Sequence, residues 1–232
     1  MQYSLLHQYC YPEWLELIDL KKKTIHIKKG KHLFQQGEKV DGIFFIHSGV
    51  IKIHVPWGED KEMILRFAKA GDIAGHRGIG INNPTTPNSP TAPNNTPVYP
   101  ISATALEDAT ATFLTNDFFE TTLKANPNLT YALMHLYAAE LQRAEQKMRN
   151  LTHMEVKGRI ALALLDIEST FGTGKDKYIT LALTRQDIAS YAGTTYETVF
   201  KFFTELVDRK IITTSGKNIR ILKPAALHAY IP

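Results

Sequence analysis

Cysteine is almost missing from this 232-residue chain, which holds only Cys10. A lone thiol cannot form an internal disulfide, and it cannot supply the cysteine set of an iron–sulfur cluster. Long apolar runs are missing too. The longest, Ile160-Ala-Leu-Ala-Leu-Leu165, is far shorter than the roughly 20 residues a membrane helix needs. The start, MQYSLLHQYCYPEW, has no basic segment leading into an apolar one, so no secretory signal is expected and the chain reads as cytoplasmic. No His-x-His occurs; His47 and His54 are seven apart with no obvious acidic third ligand. Clustered histidines and carboxylates are what a jelly-roll metalloenzyme or metal-binding protein requires, so neither is the expected reading. No metal site and no cofactor is expected. Finally, Arg209–Lys223 contains no acidic residue but five basic ones, Arg209, Lys210, Lys217, Arg220 and Lys223. The whole chain carries +4; residues 152–232 hold 11 Lys/Arg against 8 Asp/Glu, or +3, and residues 1–151 hold 16 against 15, or +1. That asymmetry points the C-terminal part toward an anionic partner.

What is present falls into three stretches. From about Lys22 to Leu114 glycines recur between short β-rich runs, Ile43-Phe-Phe-Ile46, Val50-Ile-Lys-Ile-His-Val55 and Met63-Ile-Leu-Arg-Phe67. Many short strands at this spacing predict a sandwich or jelly-roll barrel. Asn82–Pro100 interrupts them with six of the chain's 11 prolines, five Asn and four Thr, and reads as a long surface loop inserted in the barrel. After Asn126-Pro127 the period changes. Met134, Tyr137, Leu141, Ala144, Met148 and Leu151 alternate spacings of three and four with charged residues between them, about three heptads of narrow seam suited to an identical helix. Packing of this helix on its own barrel is the other reading.

The region 184–221 carries the most chemistry. Thr184-Arg-Gln-Asp187 is a capping box that opens a helix with Ile188, Ala189 and Tyr191; Ala192-Gly193 gives a tight turn; Thr194-Thr-Tyr-Glu197 reads as a second capping box. Two short helices around a glycine turn form a helix-turn-helix. Val199, Phe202, Phe203 and Leu206 make the buried face of the second helix, which leaves Tyr196, Glu197, Phe200 and Lys201 on the opposite face. Glu accepts from cytosine N4, Lys donates to guanine, and an exposed Phe touches a thymine methyl. Glu197 as a plain helix cap, Phe200 packed on a wing and Lys201 as a solvated lysine are the structural alternatives. Two β-branched runs flank Ser215-Gly-Lys-Asn218, a hairpin with a basic tip, which reads as a wing. Double-stranded DNA is the expected partner.

With these residues in view, the sequence resembles the CRP/FNR family of bacterial transcription regulators over nearly its whole length. The resemblance rests on Gly30-Lys-His-Leu-Phe-Gln-Gln-Gly-Glu38, Phe44-Phe-Ile-His-Ser-Gly49, Gly71-Asp-Ile-Ala-Gly75, Lys157-Gly-Arg-Ile160, Thr184-Arg-Gln-Asp-Ile188 and Glu197-Thr-Val199 followed by Leu206. It implies an α+β protein with an N-terminal double-stranded β-helix (jelly-roll) sensor domain over 1–126, a dimerisation helix over 127–151 and a C-terminal winged helix-turn-helix over 152–232. It implies base contacts from Tyr196, Glu197 and Lys201, joined by Phe200. Phosphate contacts are expected from Thr184, Arg185, Thr195 and Lys217. It also implies a homodimer, an inverted-repeat operator and RNA polymerase as a protein partner. The sensor departs from the family's nucleotide site at three places. Where the family follows Gly71-Asp with a Gly-Glu pair, Gly75 is here followed by His76 and Arg77; Tyr99-Pro100 stands near the Arg-Ser position; Ala144-Glu145 replaces Thr-Ser. Cyclic AMP is therefore not the expected ligand, and the effector is left open. Arg66, His76 and Arg77 are the residues expected to face one, as an anion, unless Arg77 pairs with a carboxylate of its own chain such as Glu145. A haem-based gas sensor of the same fold is the alternative, with His76 or another histidine as an axial ligand.

Overall fold

The run Ile43-Phe-Phe-Ile46 is apolar throughout because strand β3 (Gly42–Ser48) is covered on both faces. Phe44 and Ile46 point into a core shared with Phe34, Ile53, Tyr99 and Ala111. Ile43 and Phe45 point the other way, into a second core with Ile18, Phe119, Leu129 and Leu133. In this computed structural model residues 5–58, 61–78 and 97–232 are described.

The first core lies between two antiparallel four-stranded sheets. One has the order β1 (Lys23–Ile27), β8 (Ala109–Thr115), β3, β6 (Ile73–Ala74). The other runs β2 (His32–Phe34), β7 (Ser102–Ala105), β4 (Ile51–Trp57), β5 (Lys61–Ala68). In β4 the side chains of Ile51 and Ile53 join the first core, as the alternation predicts. Gly42 is required where β3 meets β8, since a Cβ there would lie 2.1 Å from the Leu114 carbonyl oxygen. This is the expected β-sandwich of an α+β chain. The proline-rich segment needs a correction at its end. Val98 bridges to Lys39, and Tyr99 is 3% exposed with its ring on Phe34 at 4.0 Å. An aromatic ring with a satisfied hydroxyl, which donates to the Gly42 carbonyl at 2.8 Å, belongs to a core rather than a loop. The rest of the expected loop, 82–96, lies outside the described residues.

The second core is roofed by helices α1 (Leu5–Tyr9), α2 (Pro12–Lys21), α3 (Asn116–Ala125) and the first turns of α4 (Pro127–His153). Asn126 fixes the corner between α3 and α4. It is fully buried, accepts from the Tyr11 N–H at 2.9 Å and donates to the Thr122 carbonyl at 2.8 Å. The chain divides into two compact units, 1–141 and 142–232, so the division falls inside α4 rather than on either side of it.

A polar chain crosses the β2–β7–β4–β5 sheet. Glu62 pairs with Lys52 and with His54 Nδ1, the latter at 2.7 Å; His54 Nε2 meets Thr104 Oγ1 at 2.8 Å, and Thr104 Oγ1 meets His32 Nδ1 at 2.9 Å. Burial alone would raise the Glu62 carboxyl, but the bonds from His54 and Lys52 outweigh it and hold the carboxyl down at about 2. A carboxylate depressed in the folded state stabilises above its unfolded value of about 4.5 and loses that contribution as pH falls toward 2. Glu62→Gln should thus be less stable than wild type at pH 6, with the gap closing by pH 2. Urea melts across that range check it, and a gap independent of pH would refute it.

Candidate nucleic-acid interface

In the C-terminal unit, α5 (Val156–Phe171) supports α6 (Arg185–Ala192) and α7 (Tyr196–Asp208), followed by strands β9 (Ile212–Ser215) and β10 (Asn218–Ile221) and by α8 (Pro224–His228). The capping box of α6 forms as the sequence requires. Thr184 Oγ1 accepts from the Asp187 N–H at 3.0 Å, and an Asp187 oxygen accepts from the Thr184 N–H at 3.0 Å. The Thr184 hydroxyl also donates to Asp187 at 2.5 Å, so its only proton is committed.

Gly193 ends α6 in the left-handed region, φ +66°, where a Cβ would also lie 2.4 Å from Leu151 Cδ2. The Thr194 N–H then bonds to the Ala189 carbonyl at 3.0 Å. Because Thr194 completes the end of α6, the second helix starts one residue later than expected. Its cap is Thr195, whose Oγ1 accepts from the Thr198 N–H at 3.3 Å. The second capping box therefore does not form with Thr194. Glu197 bonds instead with its own N–H and the Thr195 hydroxyl, and these contacts hold its carboxyl below the usual range. It is an ionised acceptor on an exposed surface.

Val199, Phe202, Phe203 and Leu206 are buried, and Tyr196, Glu197, Phe200 and Lys201 are all exposed. Phe200 is 55% exposed and stacks on Tyr196 at 6.2 Å between centroids. Arg185 lies half-buried over the Phe203 ring at 4.5 Å, which braces its guanidinium beside the same face. β9 and β10 pair antiparallel around Gly216-Lys217, with Gly216 at φ +60° and Lys217 exposed at the tip. The wing is present.

Sequence reasoning missed the groups that hold this face in place. Arg159 donates to four carbonyls: Ala192 at 3.1 Å, Gly193 at 3.2 Å, Leu151 at 3.3 Å and Met154 at 3.0 Å. The Lys157-Gly-Arg-Ile160 motif was the available signal. Lys147 lies over the Tyr191 ring at 4.3 Å, and the Tyr191 hydroxyl donates to Asp166.

The expected seam on α4 is partly redirected. Met134, Leu141 and Met148 are 56%, 61% and 64% exposed, Tyr131 joins them at 61%, and Ala144 is exposed. Tyr137 is half-buried against the barrel, its hydroxyl donating to the His76 carbonyl. Leu151 is half-buried beside Gly193. A helix that must also cover its own unit turns those residues inward.

Arg66, His76 and Arg77 come together, but on a side chain the sequence did not single out. Glu140 of α4, 8% exposed, forms an ion pair with Arg66, its Oε1 lying 2.9 Å from Arg66 Nε. Its Oε2 meets His76 Nε2 at 3.2 Å, Arg77 Nη2 at 3.1 Å and Arg77 Nε at 3.3 Å. The partner is Glu140, not Glu145. Burial alone would raise Glu140; the bond with His76 and the charges of Arg66, His76 and Arg77 bring it down to about 2. Burial pushes His76 down. An axial haem ligand would need the Nε2 that His76 gives to Glu140. Among the described residues no cluster of three His, Cys, Asp or Glu could hold a metal, and no helix is long and apolar enough to cross a membrane.

A β-sandwich sensor-type unit and a winged helix-turn-helix with an open recognition face define a class: DNA-binding transcription regulators with a ligand-sensing type of domain. Residues 24–126 match the model for the cyclic nucleotide-binding domain, and residues 158–230 match the Crp-like helix-turn-helix domain. The transcriptional activator protein Anr of Pseudomonas protegens is 27% identical over 229 residues, covering 95% of this chain and 87% of its own. The cAMP-activated global transcriptional regulator CRP of Salmonella typhimurium is 29% identical over 189 residues, covering 81% and 83%. The solved structure of FixK2 from Bradyrhizobium japonicum shares the fold, with a TM-score of 0.74 at 20% identity over 91% of this chain and 98% of that one. The chain belongs to the CRP/FNR family of transcription regulators.

Proposed function

We propose that the protein works in the cytoplasm as a homodimer that binds an inverted-repeat operator and regulates transcription through RNA polymerase, under control of a small effector other than cyclic AMP. The observation that carries this reading is the exposed set Tyr196, Glu197, Phe200 and Lys201 on one side of α7, opposite a fully buried face, with Lys217 exposed at the tip of the wing. A major-groove helix presents such a set to neighbouring base edges, with Arg185, Thr195 and Lys217 as the phosphate-contacting residues. The exposed apolar stripe of Met134, Leu141 and Met148 supports the dimer. Against cyclic AMP stand the buried Tyr99 ring near the Arg-Ser position and the Glu140 carboxylate already seated on His76 and Arg77.

The test is a selection from random DNA. Wild type should recover an inverted repeat with half-sites about one helical turn apart. Folded Glu197→Ala or Lys201→Ala should lose roughly 1–3 kcal/mol on that operator and relax preference at one base pair per half-site. Lys217→Ala should weaken binding to all sequences alike and flatten the salt dependence. An unchanged motif from folded Glu197→Ala would reduce that residue to a helix cap. Calorimetric binding of cyclic AMP at micromolar or tighter affinity would overturn the effector reading.

A further inference from the structure

We propose that Arg66, His76 and Arg77 form an oxyanion-binding site whose resident ligand is the protein's own Glu140 carboxylate, carried in by α4. This deepens the reading of the N-terminal unit as a sensor and names the class of molecule it takes: a small carboxylate or phosphate that exchanges with Glu140.

Three observations carry the inference. First, the donors outnumber the acceptor. Two guanidinium groups and an imidazole, from β5 and from the 3-10 turn His76–Gly78, meet one carboxylate on a different element. Among the described residues the charges felt at Glu140 are those of Arg66, His76 and Arg77, and burial disfavours a charged His76. Arg66 and Arg77 both present their charge to the Glu140 carboxylate. Second, the geometry suits a larger anion better than it suits Glu140. Arg77 places both Nε and Nη2 on the same oxygen, Oε2, at 3.3 and 3.1 Å. A guanidinium edge is built to meet two oxygens, one per N–H. Third, the cluster is reachable and consequential. His76 is 1% exposed and holds the floor, whereas the Arg77 side chain is 30% exposed and forms the rim. Glu140 sits one residue from Leu141 of the exposed stripe. Exchange at Glu140 therefore releases or fixes the very turn of α4 that presents that stripe.

Glu140→Ala empties the cradle while keeping all three donors. The experiment follows its melting temperature and calorimetric binding as acetate, formate or inorganic phosphate is titrated at constant ionic strength, with chloride as the reference salt. Glu140→Ala should melt below wild type, bind at least one of these anions saturably and regain stability with it. Wild type, where the anion must displace Glu140, should respond saturably to the same anion only at higher concentrations. Adding Arg77→Met to Glu140→Ala should weaken the anion roughly ten- to hundred-fold, as loss of a charged hydrogen-bond donor implies. The carboxylate and phosphate arms tell which head group fits. Should Glu140→Ala fail to fold, Glu140→Gln, which removes the charge and keeps the shape, takes the same titrations. Stabilisation no greater than that given by chloride would overturn the site and leave the cluster as a plain ion pair. The readout is anion binding, so it stands or falls separately from operator recognition.

Discussion

Arg159→Ala should lower the stability of the C-terminal unit by about 3 kcal/mol, the scale set by leaving buried acceptors unpaired, and abolish operator binding near the new melting temperature. The guanidinium joins the end of α4 to the turn of the helix-turn-helix, through Leu151 and Met154 on one side and Ala192 and Gly193 on the other. These carbonyls belong to helix ends, where the last acceptors have no partner within the helix and the dipole favours a cation. Alanine removes donors from four acceptors at once. Arg159 is only partly buried, so water replaces some of the loss, which keeps the expected effect well below the sum of four orphaned groups. Arg159→Lys should fall between, because an ammonium is a point donor that cannot span the same fork. Thermal melts, and gel shifts below and near the variant's melting temperature, check this. A melting temperature unchanged from wild type would refute it.

Leu141→Asp should convert the proposed dimer to a monomer and lower operator affinity by at least about a hundred-fold, since one half-site then binds without its tethered partner. Leu141 lies midway along the stripe, seven residues from both Met134 and Met148. At 61% exposure, its replacement disturbs little within one chain. Across a two-fold seam the same change sets two carboxylates against each other in apolar surroundings. Tyr137→Asp is the informative contrast. Its ring and hydroxyl contact the barrel, so that change should destabilise the N-terminal unit rather than act on self-association directly. Light scattering and gel shifts separate the two. A Leu141→Asp protein with an unchanged dimer mass would refute the proposed seam.

Much of the DNA-facing unit was legible in the sequence because its determinants are local. A capping box spans four residues, a left-handed turn needs one glycine, and the buried face of α7 repeats at helical spacing. Thr184, Asp187, Gly193, Val199, Phe202 and Leu206 therefore stood where expected, as did the wing around Gly216-Lys217. The cap of α7 was misplaced by one residue only because the ending of α6 claims the Thr194 N–H.

Tertiary structure alone decided the remainder. An apolar stripe on α4 does not say which partner covers which residue, and the barrel takes Tyr137 while leaving Met134 and Leu141 outside. Tyr99 joined the core because Phe34 offers its ring a face across the barrel, which no window around a proline-rich segment reveals. Glu140 finds its partners 63, 64 and 74 residues away. A single charge on a helix surface carries no local mark of burial. Its depressed pKa and its place in the sensor arise only when the fold brings two arginines and a histidine onto one carboxylate.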